Sequence, residues 1–354
     1  MKKILGGALI FLGLSGLALM GWRVWRGEGF INPLVGESDR VALPLERYDF
    51  DSLRNSLKVL KSENLKIESR KFEILGNIPE VESRRKLITN DQLRITNFET
   101  KKFRFMSEGK WITGMINIPM TPDSRKKRAI IMVRGYADKP GYYTGFGTWK
   151  AADEFAKQGW VTVSLDFLGF GGSDEESLEM LQARFEKVVA VLDLIETVKQ
   201  LGYVDTNNIG IWSHSNGGQI VLSVLEITGG NYPTVMWAPM TNPFPQSVLD
   251  TASDLDDGGK AVIKAVAEFQ KQYDSRRYAF ENYYKWINAP VLIQQGTADE
   301  WCEVAWQEKV VNALRAEGKK AELVIYKGDD HNLKKNWDEA VERDVEFFNT
   351  EFLN

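Results

Sequence analysis

Six short apolar runs recur through the later two thirds of the chain: 129–133 (AIIMV), 160–166 (WVTVSLD), 209–213 (IGIWS), 234–239 (TVMWAP), 289–296 (APVLIQQG) and 321–328 (AELVIYKG). Helical patterns fill most of the gaps, at about 148–158, 177–201, from Gly217 onward, 303–317 and 335–352. An unbroken apolar strand is buried on both faces, and strands alternating with helices build βαβ units. The rhythm predicts an α/β domain with a mostly parallel central sheet and helices on both faces. Ahead of it, FRFMSEG and WITGMINIP alternate in polarity around Glu108-Gly109, the pattern of a β-hairpin. Between 241 and 288 the rhythm pauses for charged, helix-like sequence. This reads as an insertion over the carboxyl edge of the sheet, where a lid would sit. Within it, Val262, Ile263, Val266, Ala267, Phe269 and Tyr273 fall mostly on one helix face. That face is expected to cover a pocket at this edge, with simple packing against the sheet as the alternative.

The N-terminus follows a different rule. Ile4–Trp22 is an uncharged apolar run of 19 residues after Lys2 and Lys3, close to the roughly 20 that cross a bilayer. Trp22 and Trp25 alternate with Arg23 and Arg26, as in an interfacial collar, and no clean small-x-small cleavage site follows. The expectation is an uncleaved signal-anchor over 1–26, with a cleaved signal peptide and secretion as the alternative. Charge flanking the run is nearly balanced; Glu28 and Asp39 lean the main domain toward the extracytoplasmic side. Residues 27–99 read as a linker and N-terminal extension, with a helix over 50–66 capped by Asp51 and a short β piece at 71–75. The α/β domain, with its insertion at 241–288, then runs over 100–354.

Composition removes several function classes. The 45 basic and 49 acidic residues leave a net charge of −4, so no basic domain awaits a nucleic acid. The single cysteine, Cys302, excludes an intramolecular disulfide and a cysteine zinc site. With only His214 and His331, the chain also lacks the ligands for a His-rich metal site, and any histidine base must be one of these two.

The sharpest local signal is Ser213-His214-Ser215-Asn216-Gly217-Gly218, directly after a strand and before a helix. A nucleophile elbow needs that context, with small residues two before and two after the nucleophile; Ser213 and Gly217 meet the demand, although Ser213 replaces the usual glycine. Serine is a poor nucleophile until a base takes its proton, and the base needs a carboxylate to fix its tautomer. In sheet enzymes of this type the chain order is serine, acid, histidine. Asp299 follows the fifth run and His331 the sixth, both in loops past the strand ends. Glu300 is the fallback acid. His214 should point away from the site and pack, and Asp329 and Asp330 should cap or brace their loop. An oxyanion hole needs two donors. Asn216 supplies one backbone N–H; Tyr136, in Arg134-Gly135-Tyr136 after the first run, supplies the second, with its hydroxyl as an extra donor. The glycines of 166–173 (DFLGFGGS) lack phosphate-binding spacing and read as a structural loop.

With these residues in place the chain resembles the α/β-hydrolase superfamily and, within it, the catalytic domain of the prolyl oligopeptidase family. The likeness extends over about 100–353. It includes the hairpin FRFMSEGKWITGMINIP, the segment FAKQGWVTVSLDFLGFGGSD, the double glycine after the nucleophile and the GTAD and GDDH loops. It implies a serine hydrolase with Ser215, Asp299 and His331 as its triad, acting on a small peptide or ester and needing neither metal nor organic cofactor. Two departures stand out. Arg134-Gly135 replaces the His-Gly of many relatives, and the stretch before residue 100 is too short and repeat-free for the family's β-propeller. Peptidase and carboxylesterase both fit; an inactive, membrane-tethered binding module is the reading from another class. Oligomeric state is not legible.

Overall fold

The computed structural model describes residues 43–62, 71–89, 97–120 and 125–352. The apolar run Ile4–Trp22 lies outside them. Among the described residues no helix is long and apolar enough to cross a membrane.

Among the described residues nine strands form one sheet: β1 (Phe72–Gly76), β2 (Phe98–Ser107), β3 (Lys110–Pro119), β4 (Lys127–Val133), β5 (Val161–Leu165), β6 (Val204–His214), β7 (Thr234–Trp237), β8 (Val291–Gly296) and β9 (Ala321–Tyr326). Their order is β1-β2-β3-β5-β4-β6-β7-β8-β9. The β1–β2, β2–β3 and β3–β5 pairs are antiparallel. Every pair from β5–β4 to β8–β9 is parallel. The helices are α1 (Phe50–Ser62), α2 (Pro79–Thr89), α3 (Trp149–Lys157), α4 (Met180–Val198), α5 (Gly217–Thr228), α6 (Gln246–Leu249), α7 (Lys260–Gln272), α8 (Val304–Ala316) and α9 (Trp337–Phe352).

The central strand shows why an unbroken apolar run was needed. In β4, Ala129, Ile131 and Val133 face a core that takes in α4, α5 and α8. Ile130 and Met132 face the opposite core, under α3 and α9. Successive side chains of a strand point to opposite faces, so both sets must be apolar. At the hairpin, Ser107 pairs with Lys110, leaving Glu108 and Gly109 as a two-residue turn with φ of +46° and +80°. Both angles being positive makes this the turn whose twist matches the flanking strands.

Several expectations change. The sheet domain is larger than 100–354: Leu45–Asn354 form one compact unit, since β1 pairs with β2 and Phe50 of α1 enters the main core. The described residues from 45 onward within the expected linker and extension are therefore built into the domain. Helix α1 starts at Phe50, as expected, and its described residues run to Ser62, but Asp49 rather than Asp51 caps it, accepting from Ser52 N at 2.7 Å. Asp51 instead accepts from the Tyr283 hydroxyl at 3.2 Å. Helix α2 lies in a stretch read as polar with β-like pieces; its signals are Pro79 at the first helical position and Glu80 and Glu82 in the first turn. The insertion after β7 does carry α7, but Phe269 is 3% exposed and packs with Phe185, Phe244 and Tyr278 in a satellite core. It does not line the cavity of about 690 Å³ beside Tyr136 and Asn216, whereas Val262 of the same helix does.

Glu226 on α5 is fully buried, and neither carboxylate oxygen has a hydrogen-bond partner among the described residues. Burial raises its pKa well above the usual value of 4.5. The folded chain then holds a proton that the unfolded chain releases above that value, so this group's effect is to lower stability as pH rises. Glu226→Gln should remove that component. Between pH 5 and 8, the fall in unfolding free energy should be shallower in the variant, by up to about 1.4 kcal/mol per pH unit. Parallel stability–pH curves for the two proteins would contradict the assignment.

Candidate active site

Strand β6 hands the chain directly to α5 through Ser215 and Asn216. Ser215 sits at φ +55°, the left-handed region that a side chain enters at about 1–3 kcal/mol. It is held there by its own backbone: its N–H donates to Trp237 O at 2.9 Å, and its carbonyl accepts from Gly218 N at 2.9 Å and Met240 N at 2.8 Å. The turn also needs close approaches that only glycine allows. A Cβ on Gly217 would lie 2.5 Å from Val133 O, and one on Gly135 would lie 2.7 Å from the Ser215 Cβ. One on Gly218 would strike Pro239. Ser213 fits in place of glycine, but its hydroxyl is buried without a partner among the described residues.

His331 and Asp299 meet at 2.8 Å, imidazole Nδ1 to carboxylate Oδ2. Each comes from the loop after an adjacent parallel strand, Asp299 after β8 and His331 after β9. Asp299 Oδ1 takes the backbone N–H groups of Trp301 (2.8 Å) and Cys302 (3.0 Å). Burial acts to raise the pKa of Asp299, but the bonds from His331, Cys302 and Trp301 outweigh it and hold the carboxyl below the usual range. Asp299 is therefore the ionised acid beside the imidazole, whereas Glu300 is exposed. Ser215 Oγ makes no hydrogen bond to His331 among the described residues. Such contacts often close only in the substrate complex.

Three supporting residues escaped the sequence reading in whole or part. Gln295, at the end of β8, donates from Nε2 to Asp299 Oδ2 at 2.8 Å and to Cys302 O at 2.9 Å, fixing the acid's loop. His214 does not point away. Its Nε2 meets His331 O at 2.9 Å, and the two rings lie 4.8 Å apart. A carbonyl only accepts, so Nε2 carries the proton. Burial, with His331 nearby, lowers its pKa to about 4, leaving a neutral ring that braces the His331 backbone. Arg134 is buried, donating to Gly135 O at 2.8 Å and Asp166 O at 2.7 Å. Its role is to shape the Gly135-Tyr136 backbone. No sequence pattern separates these supports from other polar residues at strand ends.

Tyr136 and Asn216 stand together on the walls of two adjoining cavities of about 690 and 200 Å³. The Tyr136 side chain is 73% exposed and its hydroxyl donates to Asp138 at 3.0 Å. Asp329 accepts from Lys335 N at 3.1 Å and Asn336 N at 2.9 Å, and Asp330 from Asn332 N at 3.0 Å, so both brace the His331 loop. Ligand atoms of Asp299, Cys302 and His331 lie within 4.8 Å of one another. Burial pushes the Cys302 thiol far up, however, so it is no thiolate of the kind that holds zinc.

A profile of the prolyl oligopeptidase family matches residues 148–354, more than half of the chain. The chain belongs to this family. Its fold is that of the α/β-hydrolases. No curated protein sequence matches it significantly. Among solved structures it is similar to the Pyrococcus horikoshii acylaminoacyl peptidase, with TM-score 0.55 and 18% identity over 74% of this chain and 42% of that one. A puromycin-hydrolysing peptidase of Mycobacterium tuberculosis aligns with TM-score 0.57 and 12% identity, over 74% of this chain and 41% of that one. The acetyl xylan esterase of Paenibacillus sp. R4 aligns with TM-score 0.60 and 15% identity, over 86% of this chain and 99% of that one. The chain spans about two fifths of the two peptidases but nearly the whole of the esterase.

Proposed function

We propose that this family member hydrolyses small peptide, amide or ester substrates through an acyl-enzyme on Ser215, with His331 as base and Asp299 as the orienting acid. The observation that carries this reading is the 2.8 Å bond between His331 Nδ1 and an ionised Asp299, in the same domain as a serine held at φ +55°. With Nδ1–H committed to Asp299, the imidazole has its Nε2 free to accept the Ser215 proton. Ser215 Oγ then attacks the substrate carbonyl. Negative charge develops on the carbonyl oxygen, where the backbone N–H groups of Asn216 and Tyr136 serve as donors. Asn216 adds the positive end of α5, and removing one such donor typically costs about 10²–10³ in kcat. The protonated His331 gives its proton to the leaving amine or alcohol, and water deacylates Ser215 by the reverse path.

Family membership favours peptide or amide bonds. A second reading, carboxylesterase, is favoured by the match to an acetyl xylan esterase, which takes in 99% of that chain and 86% of this one. For location, we propose that Ile4–Trp22 tethers the domain to a membrane, with the domain on the extracytoplasmic side.

Ser215→Ala should abolish turnover of activated esters and amides while shifting Tm by no more than a few degrees. Asp299→Asn should lower kcat by about 10⁴ through the wrong histidine tautomer, with Glu300→Gln close to wild type. Full activity in Ser215→Ala, or an effect of Glu300→Gln that exceeds that of Asp299→Asn, would overturn these catalytic roles. The full-length chain should stay with membranes after carbonate extraction. Its quantitative release would refute the tether.

A further inference from the structure

The larger cavity has a chemistry that the triad does not use. It measures about 690 Å³, within the range of small-molecule sites, and most of its lining is apolar, including Phe185, Phe244 and Val262. One wall carries Tyr136 and Asn216, the residues whose backbone N–H groups are assigned to the reacting carbonyl, so the cavity adjoins the proposed site. Opposite charges in the lining do not cancel. Its charged residues are Lys139, Arg184 and Lys187 against Glu175 and Glu176, and Lys139 is already paired with Glu176 at 3.0 Å. Glu175 is exposed.

Arg184 and Lys187 lie one turn apart on α4. The Arg184 guanidinium donates to two neutral groups, Gln219 Oε1 and, at 2.6 Å, Ser247 Oγ. Gln219 in turn donates to Asn216 Oδ1, so this cation is tied to the residue after Ser215. Lys187 has neither a hydrogen bond nor an ion pair among the described residues, and it lines both cavities. Burial lowers the pKa of Arg184 to about 10. Burial, with Arg184 adding to it, lowers that of Lys187 to about 8. Two unneutralised cations in a largely apolar cavity are costly unless something negative joins them.

We propose that this cavity is a substrate subsite for a carboxylate, bound by the Lys187 ammonium with Arg184 behind it, and that the enzyme selects substrates carrying a free carboxyl group beside the bond it cuts. This rests on the Ser215 reading and deepens it. A monoanion suits the site because the lining carries one net positive charge, and only Lys187 has its donors free.

The test compares matched esters that differ only by that charge. One pair places it on the acyl side, p-nitrophenyl hemiglutarate against p-nitrophenyl methyl glutarate. The other places it on the leaving group, 4-butanoyloxybenzoate against its methyl ester. In the wild type, at least one pair should favour the carboxylate by tenfold or more in kcat/KM, mainly through KM, as expected of binding shared by ground and transition states. Lys187→Met should reduce that ratio tenfold or more, and Lys187→Arg should retain it. Ratios within twofold of unity for both pairs in the wild type would overturn the proposal without any variant. So would a preference that survives Lys187→Met. Failure of the underlying reading has a separate signature, undiminished hydrolysis of the neutral esters by Ser215→Ala.

Discussion

The structure turns on a backbone conformation that the chain adopts only because its neighbours leave no other. Ser215 is held at φ +55° by bonds to Trp237, Gly218 and Met240, and the strands on both sides of β6 press against the turn. Gly135, Gly217 and Gly218 are the positions where a single Cβ would push those strands apart. The strain at Ser215 and the unpaired hydroxyl of Ser213 are local costs of about 1–3 kcal/mol each. The parallel sheet and its two cores offset them. A serine on a relaxed helix or strand would be partly covered by its own neighbours; here the turn presents it at the start of α5, beside the Asn216 N–H proposed as an oxyanion donor.

Around that point the polar groups are arranged in supports rather than as additional chemistry. Gln295 and two backbone N–H groups fix Asp299, Asp299 fixes His331, and the neutral His214 braces the His331 carbonyl. On the other side Arg134 grips Gly135 and Asp166, and Arg184 reaches Asn216 through Gln219. Each support acts through a hydrogen bond to an element already at the site, so the active groups lose little freedom when substrate arrives.

Much of this was legible from the chain because it depends on short-range rules. Short unbroken runs rich in Val and Ile, such as AIIMV, read as strands covered on both faces, and the Glu108-Gly109 turn announces its hairpin. Asp299 and His331 were readable because parallel strands deliver their C-terminal loops to one edge. What escaped depends on long-range geometry. Helix α2 has little amphipathic pattern, so only Pro79 and its acidic first turn marked it. Phe269 lies on the apolar face of α7, but periodicity does not say whether such a face meets a pocket or another helix; Phe185 and Tyr278 decided it. The direction of His214 and the cavity partners of Arg184 and Lys187 likewise follow from packing between distant segments. The apolar run Ile4–Trp22 lies outside the described residues, so its reading still rests on length and flanking charge.

Everything proposed for the chemistry depends on Ser215 being the nucleophile. The shortest route to it is to treat the wild-type chain with a fluorophosphonate, digest it, and locate the adduct by tandem mass spectrometry. One stoichiometric adduct on Ser215 is expected. An adduct on Ser213 or any other residue in its place, or a chain that stays unmodified, would contradict the assignment.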